Sequence, residues 1–198
     1  HNVQRLVFTS SIAVYGANQL PMAEDMIPKP EDPYGIAKWA VEQDLAAMRR
    51  IFGVDYTIFR PHNVYGEFQN IGDPFRNVIG IFMRQILNQE KLTVFGDGTQ
   101  TRAFSYVGDI APIMARAAWE PKAAKQTFNI GADQPYSVND LADKVAGAMG
   151  VPLAIDYLPR RSEVQDAYAD HSKAQEIFGN IKPTSLDMGL ARMAAWVK

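Results

Sequence analysis

No cysteine occurs among the 198 residues, which excludes disulfides, thiolate metal sites and thiol nucleophiles. That composition is compatible with a reducing cytoplasm, the expected location. Neither sign of charge dominates: 20 basic against 22 acidic side chains leave a net charge of -2. There is no basic face to attract nucleic acid and no polybasic anchor for a membrane surface. No apolar run approaches the roughly 20 residues needed to span a bilayer. The three histidines, His1, His62 and His171, are too scattered in sequence to mark a metal centre. There is no low-complexity tract and no internal repeat. Initiator methionine and signal peptide are also lacking, and His1-Asn2-Val3-Gln4 runs straight into an apolar strand. That opening reads as a strand entered from upstream structure, so the chain is expected to be an N-terminally truncated fragment.

Against these absences stands a Tyr-x-x-x-Lys step, Tyr34 to Lys38, placed 23 residues after Ser11. An ordinary phenol, with a pKa of about 10, is a poor base at neutral pH, but an ammonium one helical turn away stabilises its phenolate. Positions i and i+4 share a helix face, so both side chains can meet one ligand. A hydroxyl from Ser11, at the end of the strand that carries Thr9 and Ser10, could hold the other side of a reacting oxygen. A surface helix that merely contains a tyrosine and a lysine is the bland alternative.

The order of elements supplies the context. Leu6 to Ser10 is a short strand. Asp32 caps and Pro33 opens a helix from about Tyr34 to Phe52, closed by Gly53. Val54 to Phe59 is the next strand. Strand, five-turn helix and strand give the rhythm of a parallel α/β sheet. Further on, a helix is expected from Asn77 to Gln89, and strands at Leu92–Phe95 and Thr127–Ile130. Asp109 is expected to cap a helix reaching Trp119, Ser137 with Asp140 to cap one up to Gly150, and Asp170 to cap one ending at Phe178. Ser185 begins the last. In open α/β sheets ligands gather beyond the carboxyl ends of the strands. Ser10-Ser11, Arg60-Pro61-His62-Asn63 and Gly131 all fall at such ends.

Five segments in order carry a resemblance. They are Thr9-Ser10-Ser11-Ile12-Ala13-Val14-Tyr15-Gly16, Pro33-Tyr34-Gly35-Ile36-Ala37-Lys38, Arg60-Pro61-His62-Asn63-Val64-Tyr65-Gly66, Phe95-Gly96-Asp97-Gly98-Thr99-Gln100-Thr101-Arg102, and Phe128-Asn129-Ile130-Gly131. Together they resemble the extended short-chain dehydrogenase/reductase family, specifically its nucleotide-sugar epimerases of the UDP-glucose 4-epimerase type. The resemblance implies a Rossmann-like parallel sheet, represented here by its C-terminal part, with a small mixed α/β substrate lobe. Residues 1–66 and 101–131 would belong to the dinucleotide-binding domain, and 67–100 and 132–198 to the lobe. It implies NAD as cofactor, a UDP-sugar as substrate and a homodimer as assembly. In such epimerases NAD takes a hydride from C4 while the tyrosine removes the hydroxyl proton, and the 4-keto sugar turns before the hydride returns.

Carried over position by position, Tyr34 resembles the catalytic base, Lys38 its electrostatic partner and Ser11 the orienting hydroxyl. Ser10 and Pro61 join Tyr34 and Lys38 as cofactor contacts. Asn63 and Asn77 resemble the amides that hold diphosphate and sugar, with Val78 and Thr93 beside them. Phe95 resembles the aromatic beneath uracil, although it equally suits a core. Arg102 resembles a diphosphate-binding arginine, a duty suited to a guanidinium fork. Arg161 resembles a second, with Arg160 the alternative. Ala167 stands where strict UDP-glucose epimerases carry a bulky tyrosine. His62 is expected to be packed near the backbone and Tyr15 to be wall.

Departures matter too. Ala103 stands where many relatives place aspartate after the arginine. The family's Gly-x-x-Gly-x-x-Gly turn, whose helix N-terminus receives the pyrophosphate, is not found in the chain. Alone it is therefore expected to bind NAD weakly and to be inactive. Alternatives are a nucleotide-sugar 4,6-dehydratase or reductase, or a non-catalytic nucleotide-sugar-binding remnant. The lack of an acid in Ser11-Ile12-Ala13 favours an epimerase or a simple oxidoreductase over the dehydratase. The helix from Tyr34 is expected to leave a flank with Trp39, Gln43 and Ala46 under-covered.

Overall fold

A computed structural model describes residues 3–17, 19–73, 77–160, 166–179 and 182–198. Its described strands are β1 (Arg5–Thr9), β2 (Asp55–Pro61), β3 (Val64–Tyr65), β4 (Leu92–Phe95), β5 (Thr101–Ala103), β6 (Ser105–Tyr106), β7 (Gln126–Ile130), β8 (Pro135–Ser137), β9 (Ile155–Leu158) and β10 (Asp166–Ala167). The α-helices are α1 (Pro33–Phe52), α2 (Val78–Leu87), α3 (Val107–Ala117), α4 (Val138–Met149), α5 (Ser172–Phe178) and α6 (Leu186–Val197). The chain is a mixed α/β fold.

The main described sheet is parallel, in the order β1-β2-β7. Its middle strand is buried from Thr57 to Pro61, as a strand with neighbours on both sides and helices over its faces should be. Phe59 and Phe128 sit side by side in register, and Phe178 of α5 closes on both rings at 5.9 and 5.3 Å. A second core surrounds β4. There α2, α4 and α6 bring Phe82, Met83, Leu141, Val145, Leu190 and Met193 together. The other described strands form the ladder β10-β5-β8 and the parallel pairs β3-β6 and β4-β9.

Helix ends follow local chemistry. Asp32 Oδ1 accepts from the Gly35 N–H at 2.7 Å. Ser137 and Asp140 cap α4 reciprocally, and the Ser185 hydroxyl accepts from Met188 N–H. Asp109 is not a cap: α3 begins two residues earlier, and the carboxylate accepts from the Thr184 N–H and hydroxyl at 2.7 and 2.8 Å. A 3-10 turn, Ile12–Tyr15, follows β1; four residues are too few for periodicity to reveal. Gly35 lets α1 approach this turn, since a Cβ there would stand 2.6 Å from the Ala13 carbonyl oxygen.

Of the expected flank of α1, Gln43 is exposed and Ala46 half-buried. Trp39 turns inward, half-buried beside Ile12, Tyr15 and Met22. The exposed apolar side chains are Ile36, Val41, Ile51 and Phe52, the last two 70% and 73% exposed.

Beneath α1 lies a buried polar network. Glu42 takes both prongs of Arg60, Nη2 to Oε2 at 2.6 Å and Nε to Oε1 at 3.1 Å, and accepts from the Ser10 hydroxyl. Arg60 Nη1 donates to the Tyr15 oxygen at 2.7 Å, and Tyr15 donates to Asn129 Oδ1 at 2.8 Å. Burial works against the Arg60 charge, but the Glu42 hydrogen bonds and Tyr15 more than offset it, so its pKa is raised. Removing one partner strands a buried charge, which typically costs about 3–5 kcal/mol, whereas replacing both by apolar groups can be near neutral. Arg60→Met should therefore lower the unfolding free energy in urea by roughly that amount, and Glu42→Leu added to it should recover most of the loss. Equal destabilisation by the single and double variants would show that charge pairing is not what holds this site.

Candidate functional site

Beyond the carboxyl ends of β1 and β2 opens a cleft of about 730 Å³, within the range of roughly 300–1,000 Å³ common for small-molecule sites. Ser11, Tyr34, Asn63, Arg102 and Ala167 line it, with His62, Glu31, Asp32 and the 3-10 turn among the other walls.

Alternation along the strand end separates the two serines. Ser10 is buried, with its hydroxyl on Glu42, while Ser11 faces the cleft. The Ser11 Oγ accepts from the Ala13 N–H at 3.1 Å, which fixes the oxygen and leaves its hydrogen for a ligand. Tyr34, 46% exposed, rises from the first turn of α1. One turn on, Lys38 Nζ donates to the Thr9 carbonyl at 2.7 Å. It lies 5.6 Å from the centre of the Tyr34 ring and 5.1 Å from that of Phe8. The ammonium is thus pinned between strand end and phenol.

Opposite, Asn63 Nδ2 donates to the Ala103 carbonyl at 2.9 Å. Arg102 pairs in register with Ala167 across β5 and β10, so both residues stand on one wall. Two carboxylates at the rim are engaged: Asp32 caps α1, and Glu31 accepts from the Ala17 N–H at 3.3 Å. His62 is buried, and its pKa is lowered to about 4 by burial and then by His171 beside it.

Several sequence candidates lie off the cleft walls. Asn77 caps α2 through Oδ1 and donates from Nδ2 to the Val64 carbonyl, and Val78 packs against the core around β4. Thr93 exchanges hydrogen bonds with Gln85. Phe95 ends β4 half-buried, its carbonyl accepting from Gln100. Pro61 is buried at the end of β2. Arg161 lies outside the described residues, whereas the Arg160 stem stands over Gly96, 3.4 Å from where a Cβ would sit. Sequence reasoning missed Glu42, which Lys38 at i-4 could have flagged as the third residue on the Tyr-Lys face. It also missed the contact between His62 and His171, separated by 109 positions.

Among the described residues no group of three or more His, Asp or Glu could hold a metal ion. No described helix is long and apolar enough to cross a membrane.

The chain is similar to known proteins along its whole length. A Methanocaldococcus jannaschii protein provisionally named UDP-glucose 4-epimerase is 37% identical, over 100% of this chain and 64% of its own. A UDP-glucose 4-epimerase from Thermotoga maritima, solved with UDP-glucose, superposes with a TM-score of 0.89 at 33% identity, covering 99% of this chain and 64% of that one. A UDP-N-acetylglucosamine 4-epimerase from Methanobrevibacter ruminantium, solved with UDP-N-acetylmuramic acid, superposes at 0.90 and 29% identity, covering 99% and 63%. The chain thus spans less than two thirds of the length of these relatives. Residues 1–131 match the model of the NAD-dependent epimerase/dehydratase family, and the chain belongs to that family.

Proposed function

We propose that the chain carries the substrate-facing part of a NAD-dependent nucleotide-sugar 4-epimerase acting on UDP-hexoses. The observation that supports it is the meeting of Ser11 and Tyr34 with Asn63 and Arg102 in one cleft, beside the ammonium of Lys38. Tyr34 takes the proton of the sugar hydroxyl at C4, and Ser11 donates to the same oxygen. Lys38, fixed on the Thr9 carbonyl, supplies positive charge next to the phenol. Arg102 and Asn63 bind the diphosphate and sugar.

The groups on the cofactor side fit a ribose: a phenol and an ammonium one turn apart at the cleft mouth. Ser10 and Pro61, both buried, stand behind the cleft and not on its walls. NAD, when bound, supplies the hydride acceptor for C4. A dehydratase needs an acid near the reacting carbons, and the carboxylates at the rim are held by backbone N–H groups. A second copy of the chain is proposed to cover the exposed apolar face of α1, as exposed apolar patches tend to be covered. Val41→Lys should then lower the sedimenting mass, and an unchanged mass would count against this face.

In the active enzyme Tyr34→Phe should remove the base with little change of shape and lower turnover about 10²-fold or more. Lys38→Met should lower turnover and weaken NAD binding together. Wild-type turnover in Tyr34→Phe would sink the assignment of roles.

Ala167 is the proposed size gate for the sugar 2-substituent. A methyl group beside Arg102 leaves room for an N-acetyl group, where an aromatic ring would collide with it. The enzyme should turn over UDP-N-acetylglucosamine as well as UDP-glucose, and Ala167→Tyr should suppress only the former. Equal loss of both substrates would show that the gate lies elsewhere.

A further inference from the structure

Behind the cleft wall three side chains from different element ends meet in line. His62 follows β2, Asp133 follows β7 and His171 precedes α5. His62 Nδ1 lies 3.1 Å from the Ala103 carbonyl oxygen. Its Nε2 lies 3.0 Å from Nε2 of His171, whose Nδ1 is 2.6 Å from Asp133 Oδ1. Both rings are buried, 2% and 4% exposed. The space is made by Gly131, where a Cβ would stand 2.2 Å from His62 Nε2.

Hydrogen-bond chemistry fixes the protons along this line. A carbonyl oxygen only accepts, so His62 carries its hydrogen on Nδ1. A neutral imidazole has one N–H, so His62 Nε2 accepts and His171 Nε2 donates. An ionised carboxylate also only accepts, so His171 Nδ1 must donate to Asp133 as well. The His171–Asp133 pair therefore holds one proton more than a neutral imidazole and a carboxylate would. Placing that proton on His62 is opposed by burial and by His171, which push its pKa down to about 4. Without the extra proton, one of the three links becomes a pair of facing lone pairs.

The line ends on a backbone carbonyl, so it carries no proton to a ligand. What it transmits is position. The same Ala103 oxygen accepts from Asn63 Nδ2 at 2.9 Å, and Asn63 is held at φ 40°, a conformation that side-chain-bearing residues seldom adopt. Ala103 directly follows Arg102. The backbone behind is tied in as well: Ser105 Oγ donates to the His62 carbonyl and accepts from the Ala132 N–H. Among the described residues, the charged or titratable groups around His171 are His62, Asp133, Asp170 and, lining the same cavity, Asp109 and Tyr106. Asp109 is engaged by Thr184 and Asp170 by the Ser172 N–H.

We propose that His171, sharing a proton with Asp133, is a positioning residue that locks the His62 ring and, through the Ala103 carbonyl, sets Asn63 and the Arg102 strand in the cleft. This deepens the reading of the cleft as a nucleotide-sugar site, and its test needs no sugar. Long-range proton–nitrogen NMR on the ¹⁵N-labelled chain reports the tautomer of each imidazole, assigned with His62→Gln and His171→Gln. His62 should be neutral with its hydrogen on Nδ1, and His171 should be protonated on both nitrogens. As pH rises and the shared proton leaves, the backbone amides of Asn63 and Ala103 should shift together with His171. Asp133→Asn offers an N–H to the bare Nδ1 of a neutral His171 and closes the line without the extra proton, so this linked shift should disappear. A His62 hydrogen on Nε2, still amides while His171 titrates, or a linked shift that persists in Asp133→Asn would each overturn the proposal. Calorimetry with UDP-glucose on the active enzyme judges the cleft reading separately.

Discussion

The bidentate pair between Glu42 and Arg60 is the constraint on which the rest of the site depends. Two charges removed from water each cost several kcal/mol, so the pair survives only because its geometry and neighbours compensate. Those neighbours come from the elements that carry Ser11, Tyr34 and Asn63. Glu42 stands on α1 two turns beyond Tyr34. Arg60 is the last residue but one of β2, shortly before His62 and Asn63, Ser10 follows β1 beside Ser11, and Tyr15 closes the 3-10 turn. Asn129 of β7 continues the network to the Met22 carbonyl at 3.0 Å and, through its own N–H, to Glu24 at 2.8 Å. An apolar core could hold these elements together, but not in one rotational setting. Directional hydrogen bonds fix that setting, and the cleft inherits it.

The same logic explains why the cleft groups can be both exposed and fixed. Tyr34 projects from the first turn of a helix whose start is set by Asp32 and whose approach to the strand end is set by Gly35. Lys38 is held on the Thr9 carbonyl, which keeps its charge beside the phenol. Each of these cleft groups thus rests on a backbone or buried partner behind it, which is the arrangement a precise site requires.

What was legible in the sequence was whatever is local. Tyr34 with Lys38, the caps at Asp32, Ser137 and Ser185, and the parallel strand order all depend on spacings of a few residues or on repeating apolar patterns. What was not legible are pairings across long stretches of chain. Arg60 with Glu42 and His62 with His171 obey no period. Asp109 illustrates the difference: an acid before an apolar helical run reads as a cap, yet a threonine 75 positions away claims it. Asn77 illustrates another, since an amide read by resemblance as a ligand is occupied by its own helix and by the Val64 carbonyl. β10, two residues long, is visible only because it pairs with β5.

The separation between the cleft walls and Thr93, Phe95, Asn77 and Val78 itself bears on ligand size. A lone hexose would meet Ser11, Tyr34, Asn63, Arg102 and Ala167 and leave β4 untouched. Yet the chain leads from the end of β4 to the cleft in seven residues, Phe95 to Arg102. The turn between them is braced by the Gln100 amide on the Phe95 carbonyl and by Asn139 on the Asp97 carbonyl. The Arg160 stem stands over the same turn at Gly96. Two arginines therefore flank a braced ridge that runs from a half-buried aromatic to the sugar-sized cleft. A guanidinium suits phosphate oxygens and an aromatic face suits a base. Under the function proposed above, this ridge is the place for the anionic middle and the base of the nucleotide sugar, and the cleft the place for its hexose.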